Sequence, residues 1–428
     1  MLWSADPWFT STFKEAQQAR LKGNPALAES LYRSLYERAI ELGEPETVRK
    51  ARMEWISFLG SACRYEEARL ESERFLSELD VVSDRLIRAE VEYYLANFSY
   101  YLNEYDRAIE LAGKILSSLS EQESPSLEAR VYNMLALSER HIGLYEQAIE
   151  HFHEAVLILK KNNLSDDGGY DGNLALLYED KGRYSDAIES YQVCLSKAKK
   201  IKSEEMTTFA TMGIGTVYHK LGRFAEARFF LSEALIKAEN MENPILTQNV
   251  HAAISELALE EFDLVAAFDH ATAALLMAQE AAIPELEADA RIVNGKILLQ
   301  RGKHGDFEAA LNEAKKASEI HTELGLSYGV ALALNLESEV LMALGRSDEA
   351  LTKALDSVTI GEEFGEDMDS ICSTAARILE SAGRKEEAKA LWDRAHEVVQ
   401  EKASGLTKKD KESFLARPFV KRVMGQDH

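Results

Sequence analysis

The side chains best suited to gripping another molecule crowd into one stretch of this sequence. Tyr93, Asn97 and Tyr101 stand four apart and would share one face of a helix. Further on come Arg130, Asn133, Arg140 and His141, and then Asn173. An asparagine amide offers both a donor and an acceptor, which is what an extended peptide backbone needs. Tyrosine adds rigid amphipathic contact area, and arginine reads carboxylates. The chemistry implied is non-covalent capture. Tyr94 and Tyr100 are assigned instead to packing between neighbouring helices; the other tyrosines suit either role.

Patterns for other chemistry are weaker. His151-Phe152-His153 offers two imidazoles, but residues two apart on a helix diverge by about 200°, so one metal ion cannot take both. Ser165-Asp166-Asp167-Gly168-Gly169-Tyr170-Asp171-Gly172 has the acidity of a calcium loop without its alternating spacing or closing glutamate, and is read as a flexible connector. No GxxxxGK[ST], HExxH or GxSxG stretch occurs. Gly213-Ile214-Gly215 lies inside a helical pattern with no strand before it, so it is not a phosphate loop. The expectation is a protein that is not an enzyme and takes no metal or cofactor.

Bulk composition agrees with a binding role. The chain has 428 residues, 46% of them apolar, and only 7 prolines to interrupt helices. A net charge of -24 repels nucleic acid and anionic membranes and attracts a basic partner. Cys63, Cys194 and Cys372 form no CxxC pair, which disfavours a disulfide framework and fits a reducing compartment. The first ten residues do not read as a secretory signal, and no run of eighteen apolar residues spans a membrane. These features predict a cytoplasmic protein.

The elements that must position those residues emerge from an internal repeat. A small residue, an aromatic two later and alanine five later recur at Gly143, Gly182 and Gly222, and in weaker form at Gly23, Cys63, Asn103, Phe262, Gly305, Gly345 and Gly383. The steps between these markers are 40, 40, 40, 39, 40, 40, 43, 40 and 38 residues. The long step is assigned to Gly302-Lys303-His304-Gly305, read as a turn three residues too long. Each marker is a turn with φ > 0 between two helices. Small residues seven before it and five after it allow the helices to approach closely, while Tyr32, Phe152, Tyr191 and Trp392 fill the space between. One such pair cannot bury its apolar face, but a stack can. The loops between pairs carry Pro45, Ser124-Pro125, Asn243-Pro244 and Ile283-Pro284 as breakers.

These repeats resemble the tetratricopeptide family over about 390 of the 428 residues, most clearly from Asn103 to Ala238. Their period of 40 in place of 34 is similar to the long repeats of kinesin light chain and spindle-orientation adaptors. Asn173-Leu174-Ala175-Leu176-Leu177-Tyr178 followed by Gly182-Arg183-Tyr184 carries that likeness. The resemblance implies an all-α solenoid, a right-handed superhelix of about ten helix-turn-helix repeats over residues 1–402, with function on the concave face of the first helices. It also makes Asn173 the leading candidate for holding a target backbone. The chaperone-tail clamp of the family is present only as the fragment Arg130, Asn133 and Asn173, so chaperone tails are disfavoured.

Residues 403–428 stand apart. Leu406 to Gln426 reads as one helix opened by Thr407-Lys408-Lys409-Asp410. Residues 402–428 carry net +4 and leave -28 for the rest. Ser413-Phe414-Leu415-Ala416-Arg417-Pro418-Phe419-Val420 resembles tails that close such arrays in bacterial signalling proteins. It would cap the last repeat or serve as a basic docking segment. The expected function is a scaffold or adaptor that binds a protein or peptide in its groove through Tyr93, Asn97, Tyr101, Arg130, Asn133, His141 and Asn173, with homo-oligomerisation left open. The alternative is a regulatory sensor whose superhelix pitch changes on binding.

Overall fold

The computed structural model describes residues 6–21, 24–80, 84–119, 123–241 and 243–426, and within them every regular element is a helix. The chain divides into two compact units, and the boundary between them falls inside one helix. The first unit holds α1 (Pro7–Leu21), α2 (Pro25–Leu42), α3 (Pro45–Ser61), α4 (Tyr65–Glu78), α5 (Arg85–Tyr101), α6 (Tyr105–Ser118) and α7 (Pro125–His141). The divided helix is α8 (Tyr145–Lys161). The second unit continues with α9 (Gly169–Asp180), α10 (Tyr184–Ile201), α11 (Glu204–Lys220), α12 (Phe224–Asn240), α13 (Pro244–Glu260), α14 (Leu264–Glu280), α15 (Pro284–Arg301) and α16 (Asp306–Glu323). It ends with α17 (Ser327–Ala343), α18 (Ser347–Gly361), α19 (Met368–Ser381), α20 (Lys385–Ser404), α21 (Lys408–Ala416) and α22 (Pro418–Val423).

Local sequence explains where these helices start and stop. All 7 prolines stand at the first position of a helix, where the missing N–H costs nothing. Pro45, Pro125, Pro244 and Pro284, expected as breakers in the loops, open the helices that follow. Asn24, Ser203, Asn243, Asp263 and Thr407 cap helix N-termini through their side chains. The turn markers have positive φ, including the non-glycines Cys63 (57°), Asn103 (60°) and Phe262 (62°). Gly23 lies outside the described residues.

The alanine five residues past each marker is buried throughout. Ala28, Ala68, Ala108, Ala148, Ala187, Ala227, Ala267, Ala310, Ala350 and Ala388 are all at most 1% exposed. Without side-chain mass there, each pair closes at short interaxial distance. Among α1–α7 and among α9–α22 consecutive helices pack in order, and first helices also meet the first helices of the next pair, as in α3 with α5 and α5 with α7.

Three sequence expectations need revision. The three extra residues of the long repeat are not all in the turn. One lengthens α15 to 18 residues, one lies in the 302–305 turn and one lengthens α16 to 18. Asp306 stabilises this arrangement by accepting from the Lys303 N–H at 2.9 Å and from Arg301 at 2.8 Å. The acidic connector is also shorter than expected, because Gly169–Gly172 already form the first turn of α9. Asp166 and Asp167 accept from the N–H groups of Gly168 and Gly169 at 2.7 and 3.0 Å, and the Lys197 ammonium sits 3.1 Å from Asp166 and 2.6 Å from Asp171. Finally, the expected single C-terminal helix is two, α21 and α22. Pro418 drives Arg417 out of the helical region, to φ -60° and ψ 137°.

Candidate functional site

In the first unit, α5 and α7 lie side by side and present most of the predicted binding residues. Tyr93, Asn97, Asn133 and His141 are half-buried, and Tyr101 is 50% exposed. The Arg130 guanidinium lies over the Tyr93 ring, 4.6 Å from its centroid. Its Nη2 donates to both oxygens of Glu90 at 2.7 Å. Burial works against the Arg130 charge, yet Glu90 more than offsets this and raises the group above its ordinary value. Arg130 therefore already holds a carboxylate of its own chain, and with Tyr93 and Glu90 it forms one preorganised cluster.

Other residues of this face take part in an aromatic row at the turn ends. Tyr101 stacks on Tyr65 at 4.7 Å with planes 8° apart. His141 stacks on Tyr105 at 4.6 Å with planes 3° apart, and its Nε2 is 3.1 Å from the Tyr100 hydroxyl. Tyr100, assigned to packing, does pack here. His141 is therefore held edge and face by tyrosines, which fixes its ring for contact more than for capture. Asn173 is half-buried on α9, which belongs to the second unit.

The second unit contains a site that sequence reasoning missed. The end of the chain returns to the turns of the pairs marked by Gly182, Gly222 and Phe262. Arg417 donates from Nε and Nη2 to the two oxygens of Glu260, each at 2.8 Å, and from Nη1 to the Lys220 carbonyl at 2.7 Å. His219 Nε2 meets the same Glu260 carboxylate at 2.8 Å. Burial alone would raise the Glu260 carboxyl, but the hydrogen bonds from His219 and Arg417 prevail and hold it down at about 2. Arg223 pairs with Asp410 at 2.9 Å, and Phe414, 1% exposed, packs against the Tyr184 ring.

Charged groups of the same unit continue this network. Lys220 reaches Glu179 at 3.0 Å, Lys402 spans both oxygens of Asp369 at 3.0 Å, and the Tyr328 hydroxyl donates to Asp367 at 2.8 Å. Burial opposes the charge of Lys220, but Glu179, Tyr184 and Asp367 raise it well above the usual lysine range. Desolvation by the surrounding chain disfavours ionised Asp367, although its surface is exposed, and Lys402 and Lys220 lower it all the same. The only signals of this network in the sequence were the basic tail and the Arg417-Pro418 step.

Among the described residues no group of three or more His, Cys, Asp or Glu is placed to hold a metal ion, and no helix is long and apolar enough to cross a membrane. Cys194 and Cys372 are buried, and burial pushes each thiol up to about 12.

Comparison with known proteins agrees with the repeat geometry. Residues 172–205 match the tetratricopeptide repeat family. A 124-residue stretch is 29% identical to photosystem I assembly protein Ycf3 of Synechococcus sp. (strain CC9902), covering 29% of this chain and 67% of that protein. A 147-residue stretch is 26% identical to kinesin light chain-related protein 1 of Arabidopsis thaliana, covering 33% of this chain and 24% of the relative. The apo form of the quorum sensor NprR from B. thuringiensis shares the fold, with a TM-score of 0.52 and 12% identity over 82% of this chain and 98% of its own.

Proposed function

We propose, from the premise that the chain is built of tetratricopeptide repeats, that it is a protein-interaction scaffold whose first unit captures a protein or peptide partner on the α5–α7 face. The observation that carries this reading is the half-exposed cluster of Tyr93, Arg130 and Glu90 on two adjacent first helices, with Asn97 and Asn133 in the same half-buried layer. A cation held flat on an aromatic ring beside amide groups is the composition of a binding hot spot. Tyr101 and His141 extend the proposed contact set. The role is binding without catalysis, and the acidic chain favours a partner with basic character.

The test is affinity purification with the wild-type chain and an Asn97→Ala/Asn133→Ala variant, followed by identification of the bound protein. The variant should lose the wild-type partner while its helical circular dichroism is unchanged. Undiminished capture by the folded variant would overturn the assignment of this face. A second reading, a regulatory sensor, is favoured by the docked C-terminal segment, which gives the second unit a contact that binding could alter.

A further inference from the structure

The C-terminal segment is held at few points, and arginine carries most of the recognition. Phe414, Val420 and Val423 are its buried apolar residues. Arg417 places a two-pronged fork on Glu260 and spends a third nitrogen on the Lys220 carbonyl. Lys220 is the last residue of α11, where a helix leaves acceptors open and favours a cation. The Arg417 and Glu260 side chains are each 16% exposed, so this pair is well screened from water.

The seat is shaped for a close backbone. Gly222 has φ +73°, and a Cβ there would stand 2.7 Å from the Ser413 carbonyl oxygen and 2.8 Å from Arg417 Cγ. Only glycine leaves that room. On the occupant, Asp410 and Phe414 stand at i and i+4 on one face of α21, and Arg417 follows at i+7, at the cap just past the helix. Each meets its own receptor group: Arg223, Tyr184 and Glu260. The receptor itself stands on helix pairs whose seams at Ala187, Ala227 and Ala267 are fully buried within the pairs. The occupant helices are 9 and 6 residues long, too short to be stable alone.

We infer that the row of turns at Tyr184, Gly222-Arg223 and Glu260 is a binding surface for a short amphipathic helix bearing Asp and Phe at i and i+4 with Arg at i+7 just past its end, and that residues 408–423 are its resident, exchangeable occupant. The incoming partner is a protein segment of the same chemistry. It must compete with a tethered tail whose effective concentration is of millimolar order. This surface shares no residue with the α5–α7 face, so either assignment can fail alone.

The test uses the full-length chain and a fluorescein-labelled synthetic peptide of residues 406–426, titrated by fluorescence anisotropy. The wild-type chain should bind the peptide weakly because its own tail fills the seat. An Arg417→Ala chain, whose tail has lost its anchor, should bind the wild-type peptide at least about thirtyfold more tightly. A peptide carrying R417A should not bind, and adding Glu260→Gln to the R417A chain should abolish binding. Should R417A lower helical circular dichroism, Asp410→Ala provides a milder opening and a smaller gain in the same direction. Equal binding to wild-type and opened chains, or no binding to a folded opened chain, would overturn the proposal. A wild-type dimer that the peptide dissociates would overturn occupancy in cis and put a second copy's tail in the seat.

Discussion

The two units pack the same helix pair with different side chains. Twelve residues past the turn marker the first unit places Leu35, Phe75 and Ile115, all at most 3% exposed. At the same position the second unit places Cys194, Ala234, Ala274, Ala317, Ser357 and Ala395, all 0% exposed. Ala155, in the stretch of α8 that belongs to the first unit, is that unit's one small side chain at this position and stands beside the boundary. The first unit adds large rings, with Tyr32 stacked on Phe58 at 5.0 Å and Trp55 on Phe58 at 5.6 Å. Helix spacing follows side-chain size. The first unit is therefore filled by bulk, and the second by close approach of backbones.

That contrast can be broken by exchanging the side chains. Ile115→Ala should open a cavity and cost about 2–5 kcal/mol in urea unfolding. Ala274→Ile, the reverse change at the matching position, should overpack and cost about 1–3 kcal/mol. A neutral Ala274→Ile would show that the second unit has the same spare room as the first.

Acid should separate the units next. Glu260 titrates near 2 in the folded chain against 4.5 ordinarily, so its contribution is complete above pH 4.5 and disappears as the pH falls toward 2. With a carboxylate 16% exposed, the amount at stake is about 3 kcal/mol. Glu260→Gln should flatten that part of a pH–stability curve measured by thermal melting. An unchanged curve would mean that the His219–Glu260–Arg417 cluster does not hold in solution.

A smaller effect belongs to His251 and His270, whose Nδ1 atoms are 2.7 Å apart. Burial lowers both, helped at His251 by the neighbouring His270 and opposed at both by Glu239. The folded unit prefers these rings neutral. Stability is thus full above about pH 6.5 and declines as the pH falls below it. His270→Gln should reduce that decline, read as the change in melting temperature between pH 7.5 and 5.5. The smallest change expected is Arg130→Lys in the first unit, about 0.5–1 kcal/mol from loss of the flat contact with Tyr93.

Much of the fold was legible because it is periodic. Spacing alone located Cys63, Asn103 and Phe262 as turn residues with positive φ, although none is glycine. The local partner of Arg130 was legible too: Glu90 stands 40 residues earlier, one repeat away, and was overlooked. The break at Arg417 was written in Pro418. The seat of the tail was not legible. Glu260 and Arg417 are 157 residues apart, and no repeat period relates them. The spread of three extra residues over α15, turn and α16 was hidden for another reason: where the helices end depends on the hydrogen bonds that Asp306 accepts from Lys303 and Arg301 across the turn, which a count of markers does not weigh.

The return of the tail also orders events in time. Each helix pair needs only neighbours about forty residues away and can fold as it emerges during synthesis. The Arg223–Asp410 pair joins residues 187 apart, and the Tyr145–Glu366 contact joins residues 221 apart. At about 5–20 residues per second, the Arg223 turn waits roughly 10–40 s for its partner to leave the ribosome. During that interval the second unit has its repeats but an empty seat, which makes the nascent chain the form most open to an arginine-bearing helix from elsewhere.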